Sequence, residues 1–309
     1  MSRTDKPRSP RRIVWFRAAL LIGLSLSATG SRAWGDDAVP DPAAGAAFVL
    51  PAGFNRLSST GQASWLLAQA NSGALERASD EQLIALVGDL RPAALVNYMR
   101  RGIASYRSYQ FEMVRRERHE GVWPELADHM LVRYQEAPRR VYARWLPDGR
   151  HAGQEILYDE SMDAGHALGH FGGLLRFASV SFPIDGVMAH SQSAHGVGDL
   201  GLQFAIRMLD HDLASYRAEG LDARPSRVEI VHAPSTRLLA LTWDAANGPP
   251  AHYAARVRLS LDLRHPWAYE EASWDRDGIE QENVRFEHVV KRDWQDGTFS
   301  RTNPDYGFR

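Results

Sequence analysis

Tyr109-Gln-Phe-Glu-Met-Val-Arg-Arg-Glu-Arg118, Met130-Leu-Val-Arg-Tyr134, Arg140-Val-Tyr-Ala-Arg-Trp-Leu146 and Gly153-Gln-Glu-Ile-Leu-Tyr158 alternate apolar and polar residues almost without interruption. A period of two marks a half-buried strand, because successive side chains point to opposite faces. Tyr109, Phe111 and Met113 share one face of the first segment, as do Val132 and Tyr134 of the second and Val141 and Trp145 of the third. Short links between the segments predict antiparallel pairing, with one apolar face turned to a core.

The pattern continues outward from this stretch. Further strands are predicted at Ala167–Phe171, Leu174–Phe182, Val228–Val231, Leu238–Trp243, Ala255–Leu263, Trp267–Trp274 and Val284–Val290, ten or eleven in all. A helix interrupts them: Leu202, Ile206, Leu209, Leu213 and Tyr216 recur at helical spacing, and Gly220 ends the run. Before the strands, Ser58 to Ala104 reads as helical. Ser79-Asp-Glu-Gln82 forms a capping box, and Pro92 opens the next helix at its first turn. The fold class predicted is α+β, a mostly antiparallel sheet with a helix packed on one face. Residues 36–57, rich in Ala, Pro and Gly, read as a flexible linker, 58–91 as an N-terminal helical extension, and 92–309 as the sheet domain.

Residues 1–35 read as a signal peptide. Arg8, Arg11 and Arg12 precede an apolar stretch from Ala18 to Ala28, and Ser31-Arg-Ala33 fits a cleavage site. That stretch is too short to span a bilayer, which takes roughly 20 residues. The expected location is periplasmic or otherwise exported. The chain has no cysteine, which excludes disulfides, thiolate metal sites, thiol nucleophiles and a lipid-anchored N-terminus. Removing residues 1–35 leaves 29 basic and 37 acidic residues, a net charge of −8. A nucleic-acid partner is not expected, since it needs a basic footprint.

Several motifs resemble one family. Arg115-Arg-Glu-Arg118, Arg139-Arg-Val-Tyr-Ala-Arg-Trp-Leu146, Gly153-Gln-Glu-Ile-Leu-Tyr158, His170-Phe-Gly-Gly-Leu-Leu175 and Asn303-Pro-Asp-Tyr-Gly-Phe308 stand in the order of a bacterial exported family, domain of unknown function 1571. The resemblance runs from about Pro92 to Phe308. It implies an architecture similar to the lipoprotein carriers LolA and LolB, an open antiparallel half-barrel closed on its concave side by helices and holding acyl chains. The family has no assigned activity, so the resemblance implies no catalytic residue.

The candidate site is an apolar cavity. Tyr109, Phe111, Met113, Val132, Tyr134, Val141 and Trp145 would form its wall, and Leu202, Ile206 and Leu209 its helical lid. The alternative is that the helix fills this space and these residues are core. The Gly-, His- and Ser-rich loop Pro183–Gly198 is a candidate gate. Arg115, Arg116, Arg118, Arg133, Arg139, Arg140 and Arg144 read as a solvated outer face balanced by acidic neighbours, or as a row that meets anionic headgroups. His166 and His170 could share a metal, but no third ligand and no internal Glu accompany them. Gly196-Val-Gly-Asp-Leu-Gly201 matches a dinucleotide fingerprint but follows a polar loop rather than a strand. No cofactor is expected. The function these readings favour is a non-enzymatic carrier for a lipid, acyl chain or lipidated protein, with at most peripheral membrane contact. A scaffold module with a filled core is the alternative, and a metal-dependent hydrolase a third possibility.

Overall fold

The computed structural model describes residues 48–173, 178–233 and 236–308. The expected signal peptide, most of the expected linker and part of the segment Leu174–Phe182 lie outside them. Eleven strands form one antiparallel sheet: β1 (Ser108–Glu117), β2 (Asp128–Gln135), β3 (Arg140–Trp145), β4 (Glu155–Asp159), β5 (His166–His170), β6 (Val180–Pro183), β7 (Arg227–Ala233), β8 (Thr236–Asp244), β9 (Arg256–Asp262), β10 (Ala268–Trp274) and β11 (Glu280–Lys291). The order is β6-β5-β4-β3-β2-β1-β11-β10-β9-β8-β7, so the sheet is open, with β6 and β7 at its edges. Two meanders are joined in the middle by β1 and β11, where Met113 lies opposite Phe286. The chain passes from one edge strand to the other through helix α5 (Gln203–Ala218).

The predicted periods explain these elements. In β1 the burial alternates strictly from Ser108 to Arg115, and in β2 from Asp128 to Gln135. Tyr109, Phe111, Met113, Met130, Val132, Tyr134, Val141, Ala143 and Trp145 face the interior on these strands. Helix α5 lies against this inner face. Its stripe of Leu202, Ile206, Leu209, Leu213 and Tyr216 is buried, and Gly220, at φ +70°, takes the left-handed conformation that follows the helix end.

Helices α1 (Ser59–Asn71), α2 (Ala74–Arg77), α3 (Asp80–Asp89) and α4 (Pro92–Ile103) share one apolar core with the sheet and α5. Leu66, Leu75, Leu83, Leu86 and Leu95 meet Leu239, Leu261 and Leu263 of the β8–β9 region. Ser79 caps α3 reciprocally with Gln82. Gln62, fully buried, donates to the carbonyls of Phe54 and Asp89 and accepts from the Arg91 amide, which ties α1 to the α3–α4 connection. Arg237 of β8 donates to the carbonyls of Glu76 and Ala78 and pairs with Asp80. Within the span expected to be a linker, Phe48 and Phe54 are buried, each edge-on to Trp65.

The outer face carries a second, smaller apolar cluster. Tyr142, Leu157, Phe299, Tyr306 and Phe308 pack together, with Trp294 and Leu168 at its margin. The segment after β11 thus returns across the outside of β3 to β5 as a strap. Tyr306 stacks on Tyr142 with ring centroids 3.7 Å apart, and the Arg133 guanidinium lies 5.6 and 5.7 Å from these two rings. The Gly307 amide donates to Glu155 Oε2 at 2.9 Å. A Cβ at Gly307 would fall 2.7 Å from His170 Nε2, so this step of the strap has no room for a side chain. The terminal motif Asn303–Phe308 therefore docks onto residues of the Arg139–Leu146, Gly153–Tyr158 and His170 motifs.

Candidate functional site

Inner-face residues of β3 to β6 form one wall of a cavity: Trp145, Ile156, Gly169, Val180 and Phe182. The segment from Ile184 to Leu200 forms the other wall through Met188, Ala189, Val197 and Leu200. The cavity measures about 70 Å³. Phe171, Val180 and Met188 line it and are themselves 43%, 41% and 44% exposed, so its mouth is apolar. Val187, at the tip of the same segment, is still more exposed.

Of the residues expected to line a cavity, Trp145 does so. Tyr109, Phe111, Met113, Val132, Tyr134 and Val141 lie buried with Leu202, Ile206 and Leu209 in the core beneath α5. The Tyr109 hydroxyl accepts from the Leu202 amide at 3.0 Å and donates to Gln203 Oε1 at 2.9 Å, which fixes the start of the helix. The glycine run before α5 forms a turn of 3₁₀ helix at Val197–Asp199. A Cβ at Gly201 would meet the Tyr134 ring at 2.8 Å, so the last glycine lets the backbone lie on that ring.

The inner end of the cavity is polar, in contrast to the wholly apolar lining expected from the sequence. Across β2, β1, β11 and β10 the inner positions form two adjacent rows. Asp128, Arg115, Val284 and Glu271 make the first. Glu117, Glu282 and Ser273 make the second. The segment preceding α5 is fastened to them. Arg115 Nη1 donates to Ser193 Oγ at 2.9 Å, the Ala194 amide donates to Glu117 Oε1 at 2.5 Å, and His195 Nε2 lies 2.9 and 3.0 Å from the two Glu282 oxygens. The Tyr253 hydroxyl, from the β8–β9 connection, donates to Glu282 Oε2 and lies 3.1 Å from His195 Nε2.

Arg115 corrects the expectation of an arginine row on the outer face. It is 6% exposed, on the inner face, and 3.8 Å from Asp128. Asp128 also accepts from Trp145 Nε1 at 3.0 Å and contacts His151 Nδ1 at 2.8 Å. Arg116 is exposed as expected. Arg133 packs beside the stacked Tyr142 and Tyr306 rings on the outer face, and Arg140 pairs with Asp159.

Burial shifts the ionisation of this polar cluster. Desolvation alone would depress the His195 pKa, but the charge and hydrogen bonds of Glu282, with Glu117 behind, outweigh it and push the value up to about 9. Glu271 is raised by burial first and by the charge of Glu282 second. Burial acts the same way on Glu282, but His195 with its charge and hydrogen bond overrides it, and the net direction is downward. The Tyr253 phenol is pushed well above its ordinary range by burial and by Glu282.

The histidine pair His166 and His170 does not make a metal site. Four residues along a strand span about 13 Å. His170 is buried edge-on to Phe308, 3.6 Å from Glu155, while His166 pairs with Asp163. No helix among the described residues is long and apolar enough to cross a membrane.

The model of a protein family of unknown function, DUF1571, matches residues 106–308, a match that begins after Pro92. No curated protein matches the sequence. An uncharacterized conserved protein from Thermus thermophilus is similar in structure over 68% of this chain and 93% of its own, with 11% identity and a TM-score of 0.39. A putative outer membrane lipoprotein-sorting protein domain from Vibrio parahaemolyticus is similar over 67% and 95%, with 9% identity and a TM-score of 0.33. A LolA superfamily protein from Nitrosomonas europaea is similar over 68% and 98%, with 9% identity and a TM-score of 0.30.

Proposed function

We propose that this chain, which belongs to the DUF1571 family, is a non-enzymatic binding protein that seats the apolar part of a lipid, acyl chain or lipidated protein. The observation that carries this reading is the cavity between β3–β6 and the Ile184–Leu200 segment. Trp145, Ile156, Phe182, Val197 and Leu200 supply its apolar lining, and Phe171, Val180 and Met188 its apolar mouth. Exposed apolar groups gathered at a concave site are a common mark of a ligand site. The basic, apolar and small-residue order of residues 1–35 supports an exported location, where such ligands are handled.

The test is lipid extraction of protein purified from the envelope fraction, followed by mass spectrometry and titration with a fluorescent fatty acid. A co-purified acyl compound and saturable probe binding are expected. Val180→Trp and Met188→Trp, at the mouth, should weaken the probe about tenfold by occluding a little over 1 kcal/mol of contact. No co-purified lipid together with no probe binding would overturn the reading. A second reading, a scaffold that binds proteins through its surface, is favoured by one observation: α5 fills the central inner face over Tyr109, Phe111 and Val132. Partners captured equally by wild type and by the two tryptophan variants would support it.

A further inference from the structure

We propose that Glu117, His195 and Glu282 form a binding site for a divalent transition cation, with the Tyr253 hydroxyl and the Glu271 carboxylate beside it. The site goes beyond the ligand reading and does not depend on it. One donor atom from each of Glu117, His195 and Glu282 lies within 4.8 Å of the others, the one such three-residue group among the described residues. The three residues come from the end of β1, the segment before α5 and the start of β11. They are far apart in sequence, so the fold itself assembles the set.

Two features of this set favour a cation, although His195 already lies against Glu282. Glu117 and Glu282 are direct cross-strand partners, and like charges in that relation destabilise a sheet. Glu271 is the independent observation. It is 1% exposed, and neither of its carboxylate oxygens has a hydrogen-bond partner among the described residues. A buried carboxylate is ordinarily satisfied or paired. Glu271 stands on the inner face one step diagonally from Glu282, a spacing that long side chains can close. The nearby arginine does not answer it: Arg115 faces Asp128 and Ser193.

A divalent cation resolves both features. It would sit between the two cross-strand carboxylates, take the imidazole as its nitrogen ligand, and put a positive charge beside the Glu271 carboxylate. Mixed imidazole and carboxylate sets suit zinc, iron and manganese, and zinc binds such a set more tightly than manganese. His195 and Arg115 both line the cavity, so an ion has a path in from its mouth. With the ion bound, His195 would hold the Ile184–Leu200 segment, the outer wall of the cavity, onto the sheet.

The probe is Zn²⁺ alone, added to the full chain after chelator treatment and without a histidine tag, and followed by calorimetry and elemental analysis. One equivalent should bind. His195→Gln and Glu282→Gln should weaken it about 100-fold and Glu271→Gln about tenfold, the range that loss of ligands and their supporting partners produces. Circular dichroism checks that each variant folds. No saturable Zn²⁺ binding by the stripped wild type, or unchanged binding in folded His195→Gln and Glu282→Gln, overturns the proposal. If those variants do not fold, the ring ¹⁵N resonances of His195 in the wild type decide: a shift on Zn²⁺ addition supports the site, and an unmoved ring refutes it. Lipid binding that persists in a protein unable to bind Zn²⁺ would separate this failure from that of the carrier reading.

Discussion

Arg115 is where a single side chain changes the character of the inner face. It sits between Asp128 at 3.8 Å and Ser193 at 2.9 Å, almost without solvent. Removing one partner of a buried ion pair strands the other charge, at a cost of roughly 3–5 kcal/mol. Arg115→Met should lower stability by about that amount, and Arg115→Met/Asp128→Asn should recover most of it, as read by urea denaturation. A surface ion pair would show neither the loss nor the recovery. Another residue sets a pH dependence. Burial works against the charge of His129, but hydrogen bonds to Asp148 and Glu112 outweigh it and raise its pKa above the ordinary 6.5. His288 also reaches Glu112, at 3.3 Å. The folded pKa lies above the unfolded one, so the stabilisation is complete below pH 6.5 and disappears as pH rises through the folded value. The urea midpoint of the wild type should therefore exceed that of His129→Gln most at pH 6, and the gap should close toward pH 9. A gap independent of pH would contradict this. The inward position of Arg115 was legible in the sequence, since it keeps the parity of Tyr109, Phe111 and Met113. The run of arginines around it suggested a solvated face and hid that parity. His195 and Glu282 were not legible as partners, because 87 residues separate them and neither breaks a pattern alone.

At the scale of elements, strands and α5 announce themselves by period, while the connections between them do not. Every strand from β1 to β11 overlaps a predicted segment, because each keeps either alternation or, as in Leu238–Trp243 of β8, a strand-length apolar run. The strap after β11 has no period at all. Its contacts are side chains reaching onto strands far away in the chain, as Tyr306 reaches Arg133 Nη1 at 3.1 Å across 173 residues. The terminal motif could be read as a signature, but its docking surface could not. The strap should nonetheless be a stability element. Tyr306→Ala removes the stack on Tyr142 and leaves the Arg133 guanidinium facing a gap, so a loss of about 3 kcal/mol is expected, close to other buried aromatic truncations. Hydrogen exchange should rise first in β3 to β5, beneath the strap, and not in β8 to β10. Uniform acceleration across the sheet would mean that the strap is no separate element.

For the molecule as a whole, the open sheet sets the ligand question as one of size. The N-terminal helices occupy the inner face of the β8–β9 region and α5 its centre, so the end over β3 to β6 is where space remains. A cavity of about 70 Å³ holds only a few methylenes of an acyl chain. At about 0.8 kcal/mol each, their burial falls well short of the roughly 8 kcal/mol that micromolar affinity needs. Micromolar binding takes about ten methylenes, and those fit only if the Ile184–Leu200 wall moves outward. That wall is held by His195 and Ser193 at its base, while Val187 and Met188 at its tip are exposed. Movement should therefore hinge at the base and open the tip. A series of fatty acids should gain affinity about fourfold per methylene while the cavity fills. Beyond that point the gain should continue only if the wall yields. Pinning the tip with a designed disulfide should then stop the gain at short chains, and reduction should restore it. A series that keeps rising with the tip pinned would place the acyl chain somewhere other than this cavity.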